Sequence, residues 1–210
     1  MTRLVLSAAL LTALSASSAL AGPPLLCHPL EIGEAESLPW QEAKAWRGLA
    51  DGYDTSRIAA DTLKLVAAES SPVVRMETLR RAAVYCLKSR ETTRDLLLGL
   101  SARAASSEPD SVARFDLAYF LAACRQGREF FEREGHEDLL ELFEDFDVRG
   151  VILESARARP EQADFLLAAA VLTEMGSRSE HQRHVRRVRA AARPGTLSWR
   201  NVRARYADIR

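Results

Sequence analysis

The sequence predicts an all-α protein built of stacked helical hairpins, and three observations carry that prediction. Nearly every segment after residue 38 repeats its apolar residues at helical period, and none alternates as a strand does. Proline stands at helix starts and glycine at helix stops, where each is best tolerated. The connections are short, which folds successive helices back on one another.

Residues 1–21 precede that pattern and read as a secretory signal peptide. Arg3 gives a short positive start, Leu4 to Leu14 is apolar apart from Ser7 and Thr12, and Ala19-Leu20-Ala21 is a small-residue cleavage site. An apolar run this short, at about 1.5 Å per residue, cannot span a hydrocarbon layer of about 30 Å. The mature chain is expected to start at Gly22 and to be exported, to the periplasm or out of the cell. Residues 22–38 then read as an extended N-terminal segment, 39–193 as a helical domain and 194–210 as a basic C-terminal tail.

Within the helical domain, Pro39 is expected to start a short helix with Trp40, Ala43 and Trp46 along one side. Asp51-Gly52-Tyr53-Asp54 breaks it, and Asp54 or Thr55 caps a second helix whose face carries Ile58, Thr62, Leu65 and Val66. Pro72, after Ser70-Ser71, opens a strong third helix. Met76, Leu79, Ala83, Cys86 and Leu87 are expected inward there, and Arg75, Arg80, Arg81 and Lys88 outward. Leu96, Leu97 and Leu100 mark the buried face of the next, over residues 91–105. Ser107-Glu108-Pro109-Asp110 has capping-box character with Asp in place of Glu. The helix after it carries Val112, Phe115, Tyr119, Leu121, Ala122 and Cys124 to a stop at Gly127. Leu139, Leu142, Phe143 and Phe146 form one stripe over residues 137–146, and Gly150 separates it from residues 151–158. Pro160 starts a last apolar helix, with Phe165, Leu166, Ala169 and Leu172, that Gly176 ends.

The 210 residues hold 29 basic and 29 acidic side chains and are 47% hydrophobic. That supports one domain or two small ones around a buried core, and excludes a disordered chain. The charge balance excludes a protein that binds nucleic acid or an anionic membrane with its whole surface. No segment after residue 21 approaches 18 apolar residues, so no transmembrane span is predicted. All basic residues except Lys44, Lys64 and Lys88 are arginine, a ratio that biased codon usage also produces.

Cys27, Cys86 and Cys124 allow three different single disulfides, each leaving one thiol, and read equally as small buried hydrophobes. Cys27-His28 brings together two residue types that ligate soft metals, which makes it the centre of an alternative reading as an envelope metal- or cofactor-dependent enzyme. Two ligands do not complete a site, however, and the C-x-x-C-H run of haem attachment is absent. No cofactor is predicted. His181 and His184 lie three apart beside Glu180, but Arg183, Arg186, Arg187 and Arg189 around them oppose a cation, and His136 reads as an exposed loop residue. The nucleophile motifs G-x-S-x-G and S-x-x-K and the phosphate-cradling glycine loops are missing, so enzyme activity is not the expectation.

Charge segregation is the feature that stands above this background. Residues 129–147 hold nine acids against Arg133, and residues 178–210 hold ten arginines against Glu180 and Asp208. Either the two runs meet within the fold, or one of them is a docking surface for an oppositely charged partner. Trp199 and Tyr206 in the basic run are residue types that anchor interfaces. The candidate partner-binding residues are therefore Arg186, Arg187, Arg189, Trp199, Arg203 and Tyr206. The expected partner is a protein of the cell envelope, with an anionic envelope surface as the alternative, rather than nucleic acid.

Two resemblances accompany these readings. Pro72-Val73-Val74-Arg75 followed by Leu79-Arg80-Arg81-Ala82-Ala83 resembles HEAT-type repeats and, more loosely, tetratricopeptide-like ones. Arg75-Met76-Glu77 also lies 39 residues before Arg114-Phe115-Asp116, within the period of paired-helix solenoids. That likeness implies a short α-solenoid, with an irregular helical bundle as the alternative. Cys27-His28-Pro29-Leu30-Glu31-Ile32-Gly33 with Ser37-Leu38-Pro39-Trp40 looks like the start of a group of uncharacterised bacterial exported proteins, which implies export and no particular chemistry.

Overall fold

The computed structural model of the chain describes residues 22–68, 70–106 and 112–207. The expected signal peptide, the capping box at 107–110 and Asp208 lie outside the described residues. Among the described residues eleven α-helices follow in order: α1 (Pro24–Cys27), α2 (Ile58–Ala67), α3 (Pro72–Cys86), α4 (Arg90–Ala105), α5 (Val112–Gln126), α6 (Arg128–Arg133), α7 (Glu137–Glu141), α8 (Val148–Ala158), α9 (Ala163–Leu172), α10 (Arg178–Ala191) and α11 (Leu197–Tyr206). Among the described residues the one β-type feature is an isolated antiparallel bridge between Trp40 and Leu49. No helix among them is long and apolar enough to cross a membrane.

Side-chain caps, of which Asp54 and the Ser71-Pro72 boundary were expected, explain several helix starts. Ser71 Oγ accepts the Val74 amide at 3.4 Å with Pro72 in the first turn of α3, and Ser89 Oγ accepts the Thr92 amide at 3.2 Å at the head of α4. Asp54 accepts the Ser56 amide at 3.0 Å and opens a single 3-10 turn, Thr55–Arg57, that runs into α2. Asp147 accepts the Gly150 amide at 2.7 Å, so α8 begins at Val148 and Gly150 lies inside its first turn rather than before it. Pro160 stands in the turn ahead of α9, which starts at Ala163 and stops at Leu172, short of Gly176. The stripe over 137–146 breaks because α7 ends at Glu141: Leu139 and Leu140 are buried, whereas Leu142 is exposed.

No regular helix follows Pro39. Residues Glu42–Arg47 form 3-10 turns interrupted at Ala45, whose φ of 50° and ψ of −130° match the first central position of a type II′ turn. The Trp40 indole donates to the Ala45 carbonyl at 3.1 Å, and Gly48 leaves no room for a side chain against Gln41 O and Trp40 Nε1, both 2.4 Å from where a methyl group would sit. The loop is thereby drawn into a closed ring ending at the Trp40–Leu49 bridge.

Helix α3 lies at the centre, packed on α2, α4, α5 and α9, with α8, α10 and α11 layered beyond α5 and α9. Phe115 of α5 meets Phe165 of α9 edge to face at 4.9 Å. The single turn α1 is wedged against α3, α5 and α9, with Leu25, Leu26 and Cys27 buried and Leu26 seated on Gly127, where a methyl group would clash at 2.4 Å. The segment read as extended, 22–38, is thus partly helical and anchored by Leu25, Leu26, Cys27, Leu30, Ile32 and Leu38, while residues 33–36 are exposed. The segment read as a tail contains α11, and the two meet. Arg205 donates to Pro24 O at 3.1 Å, while Glu31 and Asn201 exchange two hydrogen bonds of 2.8 Å. Such contacts between segments so far apart in the chain belong to a closed bundle, since each repeat of a solenoid touches only its neighbours.

The largest departure from expectation is α3 itself. Every residue from Val73 to Cys86 is buried, including Arg75, Arg80 and Arg81, which were expected outward. Only Lys88, beyond the helix end, is exposed as expected. Glu77 makes this possible. Its carboxylate accepts from Arg80 Nε and Nη2 at 2.7 Å each, from Arg81 Nε at 2.8 Å and from the Leu30 amide at 2.9 Å. Arg80 and Arg81 then donate onward to the carbonyls of Leu26 and Leu38 at 3.0 and 2.9 Å. Arg75 forms a two-pronged pair with Asp116 of α5, one contact at 2.9 Å, and donates to Ala68 O at 3.2 Å. Each buried charge is therefore paired and hydrogen-bonded, the condition for burying it at all. Apart from Arg75, which faces α5, the polar side of α3 faces the strap of residues 22–50 instead of water.

Candidate functional site

The C-terminal region is where the largest set of predicted site residues comes together. Helix α10 buries His181, His184, Val185 and Val188 and leaves Arg183 and Arg186 in solvent. The two histidines are thus core residues. His181 Nδ1 lies 3.0 Å from Ala170 O and so carries the ring proton there, and burial lowers the pKa of His184. His136, expected exposed, is also buried, at the head of α7. After Gly195, at a positive φ of 87°, Thr196 Oγ1 accepts the Trp199 amide at 3.3 Å and starts α11. That start sets the phase of α11: Ser198, Asn201, Val202 and Tyr206 turn inward, and Trp199 and Arg203, one turn apart, lie on its other side.

A groove of about 430 Å³ runs between the two helices, lined by Arg189, Ala192, Trp199, Val202, Arg203 and Ala207. The Arg203 guanidinium stacks 4.7 Å over the Trp199 ring. Arg189 donates to Tyr206 O at the C-terminal end of α11. Of the six candidates, then, Arg189, Trp199 and Arg203 share one groove, and Arg186 lies one turn before Arg189 on the same side of α10. Arg187 instead reaches Ala156 O of α8 at 3.5 Å. Tyr206 is not an exposed anchor: it is 1% exposed and packs edge-on against His181 at 5.4 Å, because the start of α11 turns it into the core.

Among the described residues, Arg183, Arg186, Arg193 and Arg203 have no carboxylate at ion-pair distance. The C-terminal arginines that are paired use Glu31 (Arg200, 2.9 Å) and Glu174 (Arg205, 2.8 Å), while Glu180 pairs with Arg149. Asp138 in the acidic run pairs with Arg90 of α4, and Arg125 caps the carbonyls of Phe143 and Phe146. Among the described residues, these ion pairs join each charged run to other elements.

Cys27 lies in the buried turn α1, where burial pushes its thiol up to about 11 even though the Arg80 and Arg47 cations pull it down. A thiol held protonated is a poor nucleophile and a poor ligand. His28, the next residue, is also buried. Cys27, Cys86 and Cys124 are all free and buried, with burial pushing Cys86 up to about 12. Among the described residues no group of three or more His, Cys, Asp or Glu side chains is arranged to hold a metal ion. Comparison of the chain with protein-family models, curated proteins and solved structures gives no match.

Proposed function

We propose that the chain is an exported helical protein of the cell envelope that works by binding an acidic segment of a protein partner at the groove between α10 and α11. The observation that carries this is the Trp199–Arg203 stack, a partly buried indole beneath a cation, beside Arg189 in a groove floored by Ala192 and Val202. Aromatic and arginine side chains in one concavity are the residue types that concentrate binding energy at interfaces. Arg183, Arg186 and Arg193, without carboxylate partners, extend the positive charge around it and favour an acidic partner.

The test uses a labelled peptide with glutamates around one central leucine, titrated into the chain. It should bind with an affinity that falls as salt is added, and the Trp199→Ala/Arg203→Gln double variant should lose about tenfold or more. Met175→Ser, at an exposed site outside the groove, should leave binding unchanged. Equal binding by the double variant would overturn the proposal. Deletion of the whole C-terminal segment is no substitute, because it would remove Tyr206 and Asn201 from the core. Export is tested by the intact mass of the secreted chain, which should begin at Gly22.

A further inference from the structure

A second concavity, of about 390 Å³, lies between the ring formed by residues 40–49, the C-terminal end of α3 and helix α6. Trp46 meets Phe130 of α6 with ring centroids 5.4 Å apart, and Leu49, Val84 and Leu87 line the same cleft. Three cations stand around these apolar groups: Arg47, Lys88 and Arg133, with Glu134 as the one acid. Arg47 stacks over Trp46 at 4.6 Å and Arg133 over Phe130 at 4.8 Å. Among the described residues none of the three cations has a carboxylate at ion-pair distance. Arg133 Nε donates to its own helix, at Glu129 O, 3.2 Å away. Ala45, immediately before Trp46, holds the positive φ that glycine normally supplies, and strain of this kind is tolerated where the surrounding structure holds a residue in place.

We infer that this cleft binds a small organic acid with a planar apolar body and a single carboxylate. The volume is that of a small-molecule site, and its lining divides between apolar groups that take a ligand's body and charged groups that orient it. Trp46, Phe130, Leu49, Val84 and Leu87 take the apolar body, and the uncompensated cations take the carboxylate. A cationic ligand is repelled by all three. A ligand with several phosphates would have to strip water from charges facing leucine and valine, which costs more than the cleft returns. The site is separate from the α10–α11 groove, so it stands or falls independently of the proposed partner binding.

The test is calorimetric titration of the exported chain with 2-naphthylacetate, its neutral amide and 2-naphthylethylamine, three probes of nearly one shape and different charge. The acid should bind saturably at one site, the amide about tenfold or more weakly, and the amine not at all. Arg47→Gln combined with Lys88→Gln should weaken the acid about tenfold with the melting temperature unchanged, and Phe130→Leu should weaken acid and amide alike. Added salt should weaken the acid selectively. Equal affinity for acid and amide, acid binding unaltered by the double variant, or no saturable binding of the acid up to about 10 mM would each overturn the inference.

Discussion

Helices α3 and α10 are both rich in arginine and treat it in opposite ways. In α3, Arg75, Arg80 and Arg81 are 6%, 0% and 8% exposed, while in α10, Arg183 and Arg186 stand in solvent. The difference lies in the company each arginine keeps. Helix α3 supplies Glu77 three residues before Arg80 and four before Arg81, and α5 brings Asp116 to Arg75. The one acid of α10, Glu180, is taken by Arg149 from α8. A strap then covers the polar side of α3, and its Leu26 and Leu38 carbonyls absorb the remaining donors. Arginine is buried where a carboxylate and a backbone cover are both within reach, and otherwise it stays in water.

The comparison can be broken most sharply at Glu77. Glu77→Gln should leave two buried guanidiniums without their carboxylate and cost about 3–5 kcal/mol, read as a lowered denaturation midpoint. Asp116→Asn strands only Arg75 and should cost less, about 2 kcal/mol. Asp116 also makes α3 sensitive to pH. Burial pushes its carboxyl up to about 6 against the pull of Arg75. The folded state therefore holds this proton more tightly than the unfolded chain, whose carboxyl titrates near 3.8. That contribution is complete below about pH 4 and is lost as pH rises to about 6, and Asp116→Asn should flatten the stability profile over that window. At the edge of the strap, Ala45→Gly should stabilise by about 0.5–1 kcal/mol, since glycine adopts the observed φ of 50° without strain. The smallest effect belongs to α10: Arg186→Gln should shift the melting temperature by no more than about 2 °C, because its side chain lies in solvent. A large loss there would mean that α10 hides its arginines as α3 does.

Much of the fold was legible in the chain. Apolar period placed α2, α3, α4 and α5 close to where they lie, and Ser71-Pro72 marked the start of α3 within a residue. The groove was legible in part: Trp199 and Arg203 at a spacing of four are neighbours on any helix, whereas Arg189 joins them only through the packing of α10 on α11. Tyr206 misled because an aromatic in a basic run has the same pattern whether its ring faces water or core. Glu77 with Arg80 and Arg81 was readable as helical spacing. Nothing local, however, shows that a strap from residues 22–50 lies across them.

The sequence by itself determined the all-α class, the start of α3 at Ser71-Pro72, and the segregation of charge into an acidic and a basic run. These rest on interactions within a few residues, or on composition. Only the tertiary structure decided that α3 is buried on every side, that the segment around α1 meets α11 in a closed bundle, and that Trp46 and Phe130 close one cleft while Trp199 and Arg203 line another. Those outcomes depend on contacts between residues far apart in the chain, such as Arg75 with Asp116 and Glu31 with Asn201. A helical period states which residues share a face but carries no information about what that face will meet.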